Sequence, residues 1–196
     1  MNGIRLESAT EEKDLGVTID VSLKPSKHCN IIARLANFAM GQILRSFHYR
    51  KKSNLIPLFN TFVRPRLEFA SSAWNPWLEG DIRCVEKVQE RFLRQITDVR
   101  GNSYDERLKN AEMTSLRERR ERGDAIETYK SLSGFNKVEK NQWFSIADEK
   151  ARATRSTSSV SELGEEERKT NVLRIEGARL DIRKYSYTVR AAKLWN

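Results

Sequence analysis

The sequence predicts a mainly α protein, a helical bundle with a short N-terminal β-hairpin and a C-terminal, partly extended tail. Three observations predict it. Apolar residues recur at helical spacing from residue 26 onward, capping residues stand at the head of those runs, and period-two alternation is confined to the two ends of the chain. With 196 residues, 38% of them hydrophobic and 32% charged, the apolar share is below ordinary globular usage. One thin-cored helical domain with an appendage is therefore expected.

Ile4-Arg5-Leu6 and Leu15-Gly16-Val17-Thr18-Ile19-Asp20 alternate apolar and polar residues about the polar stretch Ser8 to Asp14, a hairpin pattern within residues 1–24. From Ser26 the period turns helical. Ile32, Leu35, Ala36, Ala39, Ile43 and Phe47 share one face, with Ser26 after Pro25 as the candidate cap. Ser53 opens a second helix carrying Leu55, Ile56, Phe59, Phe62 and Val63. Pro65 is expected to kink or interrupt it before Leu67 and Phe69, because proline has no N–H and its ring meets the preceding turn. The Trp74-Asn75-Pro76-Trp77 turn closes this run.

Asp81 can cap a third helix, in which Val85, Val88, Phe92, Ile96 and Val99 line one side. Arg83, Lys87, Arg91 and Arg94 line roughly the opposite side at about 100° per residue. Ser103 with Glu106 forms a capping-box pair. Thr114 starts a charged helix that runs to Ser133 and ends at Gly134. These helices make up an expected domain over residues 25–145. Residues 146–171, rich in Ser, Thr, Arg and Glu, have too few large apolar groups to offset ordering entropy and read as a flexible linker. The tail, residues 172–196, recovers alternation at Leu173/Ile175 and Leu180/Ile182, then carries Tyr185, Tyr187, Val189 and Trp195. It is expected to dock on the helices.

Thirty-six basic against 27 acidic residues give a net charge of +9 and an isoelectric point near 9.7, the balance expected for a partner that carries phosphate. Its distribution is uneven. Residues 1–20 hold two basic and five acidic residues, whereas residues 21–80 hold nine and two. No stretch approaches the roughly 18 consecutive apolar residues of a membrane span, and no secretory signal opens the chain. The expectation is an intracellular protein with no membrane partner, nuclear or cytoplasmic. Cys29 and Cys84 lack the spacing of a disulfide scaffold or a zinc site and read as free thiols. His28, beside Cys29, has only His48 and Cys84 to complete a ligand set, so no metal is expected there.

Several segments together resemble the region that follows the palm in non-LTR retrotransposon reverse transcriptases of the jockey and chicken-repeat kind. They are Lys13 to Asp20 with Leu23 and His28, Val63-Arg64-Pro65-Arg66-Leu67-Glu68-Phe69 with Trp74 and Pro76, and Val85 to Phe92 with Ile96. The run continues through Tyr104 to Leu108, Ser115 to Arg120 with Gly123-Asp124, and Arg183 to Asn196. The resemblance implies a thumb and post-thumb module that grips template and primer as part of an RNA-directed DNA polymerase. It also implies that the palm and fingers of the parent polymerase are partners. Catalysis in that family uses palm aspartates holding metal ions, including an aromatic-x-Asp-Asp turn. The sequence contains no Asp-Asp pair, so the chain alone is expected to be inactive, with no cofactor of its own and Mg²⁺ belonging only to the missing palm. Asp14 and Asp20 follow the position of that box and are not metal ligands. Relatives usually continue beyond Trp195-Asn196 with Leu-Pro, so the expectation is a fragment or a decayed copy.

A thumb holds a duplex by its phosphates without reading sequence, which needs Arg and Lys along a rigid helix. Arg83, Lys87, Arg91 and Arg94 meet that need; the alternative is a solvated face on which Glu86 and Glu90 pair locally. Arg45, Arg50, Lys51 and Lys52 have no acidic neighbour in sequence and are candidates for backbone contact to an RNA template or an RNA–DNA or DNA duplex. Arg64 and Arg66 flank the proline, where they either approach phosphate or pair with Glu68 to pin the kink. Trp74 and Trp77 either stack on a base or cap the core. Arg117, Arg119, Arg120 and Arg122 interleave with Glu118, Glu121 and Glu127, which reads as a solvated helix. A helical remnant or protein-interaction module with no nucleic-acid role is the competing reading.

Overall fold

The computed structural model describes residues 9–145 and 172–196. It is mainly α, with one two-stranded hairpin near the amino terminus. Two compact units divide at Gly123/Asp124, inside the expected 25–145 domain. The expected linker at 146–171 lies outside the described residues.

In the first unit, β1 (Glu11–Asp14) pairs antiparallel with β2 (Val17–Asp20), Glu11 opposite Asp20 and Asp14 opposite Val17. Leu15 and Gly16 form the two-residue turn with φ of 44° and 93°, the positive values that match the twist of flanking strands. The polar stretch expected to be the turn thus contains the first strand. β1 is exposed along its whole length and shows no alternation to read. Ile4 to Leu6 lies outside the described residues.

Helix α1 (Ser26–Ser46) buries His28, Cys29, Ile32, Ala33, Ala36, Ala39, Met40 and Ile43. The buried face is centred on Cys29, Ala36 and Ile43, seven apart, so Leu35 is rotated about 100° from its centre. Leu35 and Phe47, expected inside, are 47% and 43% exposed. Pro25 occupies the cap position without a side-chain bond, and the Ser26 hydroxyl instead donates to Asp81 Oδ2 at 2.6 Å.

Helices α2 (Lys52–Leu58) and α3 (Arg64–Glu68) are joined by a π-helical turn, Phe59–Val63, in which the Arg64 N–H reaches the Phe59 carbonyl. This is how Pro65 is accommodated: the widened turn makes room for a residue that has no N–H and a bulky ring. Leu55, Phe59, Val63 and Leu67 are all fully buried. In an α-helix a stripe of spacing four drifts by roughly 40° per step; the wider π turn offsets that drift. Phe62 and Phe69 stay exposed.

After α4 (Ser71–Trp74), Trp74 is buried, donates its indole N–H to the Phe69 carbonyl at 2.8 Å, and meets the His28 ring edge-on at 4.9 Å. Helix α5 (Glu79–Leu93) buries Val85, Val88, Gln89, Phe92 and Leu93. It stops at Leu93, so Ile96 and Val99 enter the core from the following turn and not from the helix. Asp81 lies in the first turn, and Leu78 occupies the cap position. Ser103 caps α6 (Tyr104–Asn110), accepting from the Glu106 N–H as expected. Ser115, not Thr114, caps α7 (Leu116–Leu132): Ser115 Oγ accepts from the Glu118 N–H while Glu118 accepts from the Ser115 N–H, both at 3.2 Å. Gly134, at φ 73°, ends that helix, with the Phe135 N–H returning to the Lys130 carbonyl.

The second unit takes the last turns of α7, then α8 (Lys140–Trp143), α9 (Asp181–Lys184) and α10 (Tyr187–Trp195). Leu132, Phe144, Leu173, Ala191 and Ala192 form its core, with Tyr187 and Trp195 packed against them. The Asn196 amide bonds both backbone groups of Leu173, at 3.0 and 2.8 Å. Arg190 grips Asp124 with two nitrogens, at 2.7 and 3.3 Å, and donates to the Tyr185 carbonyl at 2.9 Å.

Candidate nucleic-acid interface

Helices α1 and α5 lie side by side with the same chain direction, since Ser26 bonds Asp81 and, one turn further along both, the Cys84 thiol donates to Asn30 Oδ1 at 3.4 Å. The apolar face of α5 is buried, which turns Arg83, Lys87, Arg91 and Arg94 to solvent. Arg94 pairs with Glu90 one turn earlier. Among the described residues Arg83, Lys87 and Arg91 make no ion pair.

Among the carboxylates of α5 that could neutralise this stripe, Glu79 stays exposed one turn before Arg83, while Glu86 points elsewhere. It accepts from the Tyr104 hydroxyl at 2.8 Å and from the Leu116 and Arg117 N–H groups at 3.2 and 2.6 Å, and stands 3.7 Å from the Arg120 guanidinium. A carboxylate at the first N–H groups of α7 satisfies donors that the helix cannot. Burial and the charge of Glu86 push the Tyr104 hydroxyl well above its ordinary pKa. Burial pulls Arg120 down, opposed chiefly by Glu86.

The Arg45 to Lys52 cluster is not one free patch. Arg45 and Lys51 are exposed. Arg50 donates to Gln95 Oε1 at 3.0 Å, and its carbonyl holds Thr97. Lys52 pairs with Glu112 at 3.1 Å, and its N–H donates to Asp98 at 2.7 Å. Acidic neighbours absent from the local sequence arrive from about 46 and 60 residues away.

At the proline, Glu68 is held by Arg119 and by Arg64 at 3.8 Å. Arg64 also donates to Asn60 at 2.8 Å. Burial and the neighbouring Arg119 hold Arg64 below its ordinary pKa, while the hydrogen bond to Glu68 raises that of Arg119. Arg66 donates to the Phe62 carbonyl at 3.1 Å and is otherwise exposed. The pairing with Glu68 is made by Arg64 and a distant arginine, and not by Arg66. Trp74 is buried in the core and Trp77 is half-buried.

Sequence reasoning passed over Arg34, which is exposed on α1. The signal was present: Lys27 and Arg45 are 18 residues apart, five turns of a helix, and Arg34 falls within about 20° of the line joining them. Among the described residues no group of three or more His, Cys, Asp or Glu side chains could hold a metal ion, and no helix is long and apolar enough to cross a membrane. Cys29 and Cys84 are free thiols, and burial pushes Cys29 up to about 12.

No family model matches the sequence. An uncharacterised protein of Caenorhabditis elegans is 29% identical over 110 residues, covering 55% of this chain and 56% of its own length. The chain therefore spans about half the length of that relative. No solved structure matches.

Proposed function

We propose that this chain is a thumb and post-thumb segment of a non-LTR retrotransposon RNA-directed DNA polymerase, gripping template and primer through their phosphates and lacking the catalytic palm. The observation that carries the grip is the Arg83, Lys87, Arg91 stripe: three exposed cations on one rigid helix, with Glu86 drawn away to the start of α7. Successive members are about 6 Å apart along the axis, comparable to the separation of successive phosphates on one strand. No cofactor is assigned to this chain, and Mg²⁺ would belong to the palm, with the palm and fingers as protein partners.

The test is anisotropy with a labelled RNA–DNA hybrid over a salt series, using the protein and an Arg83→Glu/Lys87→Glu/Arg91→Glu variant. Affinity should fall steeply with salt, and the variant should lower the logarithmic salt slope by about 3. Binding indifferent to salt, or unchanged in the variant, overturns the reading. The polymerase assignment rests on the ordered motif matches and is tested by reading the genomic sequence upstream for an aromatic-x-Asp-Asp palm box.

A second reading, a protein-interaction module, is favoured by one observation. Leu35, Phe62, Pro65 and Phe69 line an open groove of about 430 Å³, and Leu35, Phe62 and Phe69 are substantially exposed. Salt-independent behaviour in the experiment above favours it.

A further inference from the structure

We infer that the groove between α1 and the π turn is an interface for a second copy of this chain, each copy seating its hairpin tip in the groove of the other. The groove is open and lies between Leu35 of α1, the stretch from Phe62 to Phe69, and Gly16 of the hairpin turn. Leu35, Phe62 and Phe69 are exposed along it, and Phe38, the next residue of the Leu35 ridge, is 63% exposed. A contiguous apolar patch left in water marks a surface that a partner covers. Its charge has one sign. Helix α1 carries no acidic residue, and Glu68, the one carboxylate between residues 52 and 68, is held by Arg119 and Arg64. Arg66 lines the groove, and Arg34 stands beside Leu35 on the outer crest of α1. Both are exposed and make no ion pair among the described residues.

The hairpin has the opposite character. Glu11 holds Lys27, and Lys13, on the same face of β1, acts on His28. Glu12 and Asp14 share the other face, are exposed, and make no ion pair among the described residues. Leu15, at the tip, is 88% exposed. An acidic and apolar tip thus complements a basic and apolar groove. Within one chain the two do not meet, because Leu15 stays exposed while Gly16, next to it, forms the groove wall. The tip therefore stands at the rim of the groove. A two-fold axis through that rim brings each tip to the other copy's groove, the self-complementary arrangement that a symmetric dimer needs. Groove against groove would instead set like charges face to face. The interface uses no residue of the α5 stripe, so it stands or falls separately from the grip proposed above.

Sedimentation equilibrium of the nuclease-treated full chain is the test. The mass should rise with concentration from 22.8 kDa toward twice that value. A Leu15→Asn/Phe62→Ala variant, altered at two exposed positions, should stay at the mass of one chain. Two charge reversals separate contact between copies from folding. A hairpin variant, Glu12→Arg/Asp14→Arg, and a groove variant, Arg34→Glu/Arg66→Glu, should each stay monomeric, because tip and groove then carry the same sign. Mixed in equal amounts, the two should recover the doubled mass, since every tip again meets a groove of opposite sign. An unaltered chain that stays monomeric overturns the inference and leaves the groove to a different partner. Association that vanishes on nuclease treatment overturns it as well, because nucleic acid then bridges the copies. If the chain dimerises and any of the three variants dimerises equally, or the mixture stays monomeric, the interface lies elsewhere and the inference is lost.

Discussion

Among the described residues Arg120 is the largest fully buried side chain, and its position shows how single residues set this fold. Its Nε donates to Asn75 Oδ1 at 3.2 Å, and Glu86 stands 3.7 Å from the guanidinium. Removing the charge of Glu86 leaves a buried cation uncompensated and strips an acceptor from α7. Glu86→Gln should therefore cost about 3 kcal/mol of unfolding free energy, measured by urea denaturation. Adding Arg120→Met should recover part of it, because two apolar or neutral groups replace a broken pair; a Glu86→Gln cost under about 0.5 kcal/mol would contradict this account. His28 gives a second residue-scale expectation. It is buried, and its Nδ1 accepts from the Thr18 N–H at 3.2 Å; burial, aided by Lys13, holds its pKa below the ordinary value. The folded state thus binds this proton less readily than the unfolded chain. Stability should be full above about pH 6.5 and should fall as pH drops below it. Urea midpoints from pH 7.5 to 5 check this, roughly, and His28→Gln should flatten that part of the profile. Neither role was legible in sequence: Arg120 stands among alternating Arg and Glu that read as a solvated face, and only tertiary contact with α5 buries it.

At the scale of elements, the π turn at Phe59–Val63 decides which side chains of the second helical run face inward. An unbroken α-helix continuing from Leu55 and Phe59 would carry Phe62 and Arg66 inward at steps of three and four. The wider turn substitutes Val63 and Leu67, leaving Phe62 and Arg66 outside. Phe59 is fully buried and stacks on Phe92 at 4.3 Å, with 23° between rings; Phe62 is 55% exposed. Phe59→Ala should cost about 3–5 kcal/mol and Phe62→Ala less than about 1 kcal/mol. Equal costs would mean that the run is regular and the stripe is misassigned. Pro65 announced a disturbance in sequence, because its missing N–H is unconditional. The form of the disturbance was not legible, since a π turn has no composition of its own. The Ser103 cap and the Gly134 stop were legible, because each depends on chemistry within a few residues. The first strand was not, because an exposed two-stranded ribbon leaves no apolar alternation.

At the scale of the molecule, several of the 36 basic residues of the sequence are held by carboxylates inside the fold. Arg64, Arg119 and Arg120 are tied to Glu68 and Glu86, and Arg190 to Asp124, so the count of basic residues overstates the cations free to meet a partner. What remains on α1 and α5 follows from helical spacing, which is why the Arg83 stripe was readable and the fate of Glu86 was not. The two units have separate cores, one built on α1, α5 and the π turn, the other on Leu132, Phe144, Leu173, Ala191 and Ala192. The second core is small, and the Asp124–Arg190 pair holds it across 66 residues of sequence, with Asp124 1% and Arg190 17% exposed at their side chains. Arg190→Met leaves Asp124 as a buried carboxylate without that partner, a loss of about 3 kcal/mol, or about a hundredfold in the opening equilibrium. Because amide exchange follows local opening, amides of α10 and of Leu173 should exchange about a hundredfold faster in the full-length variant. Amides of α5, such as those of Val88 and Phe92, should keep their rates. Uniform acceleration across both sets would show one cooperative block, and the assignment of two separately stabilised cores would have to be abandoned.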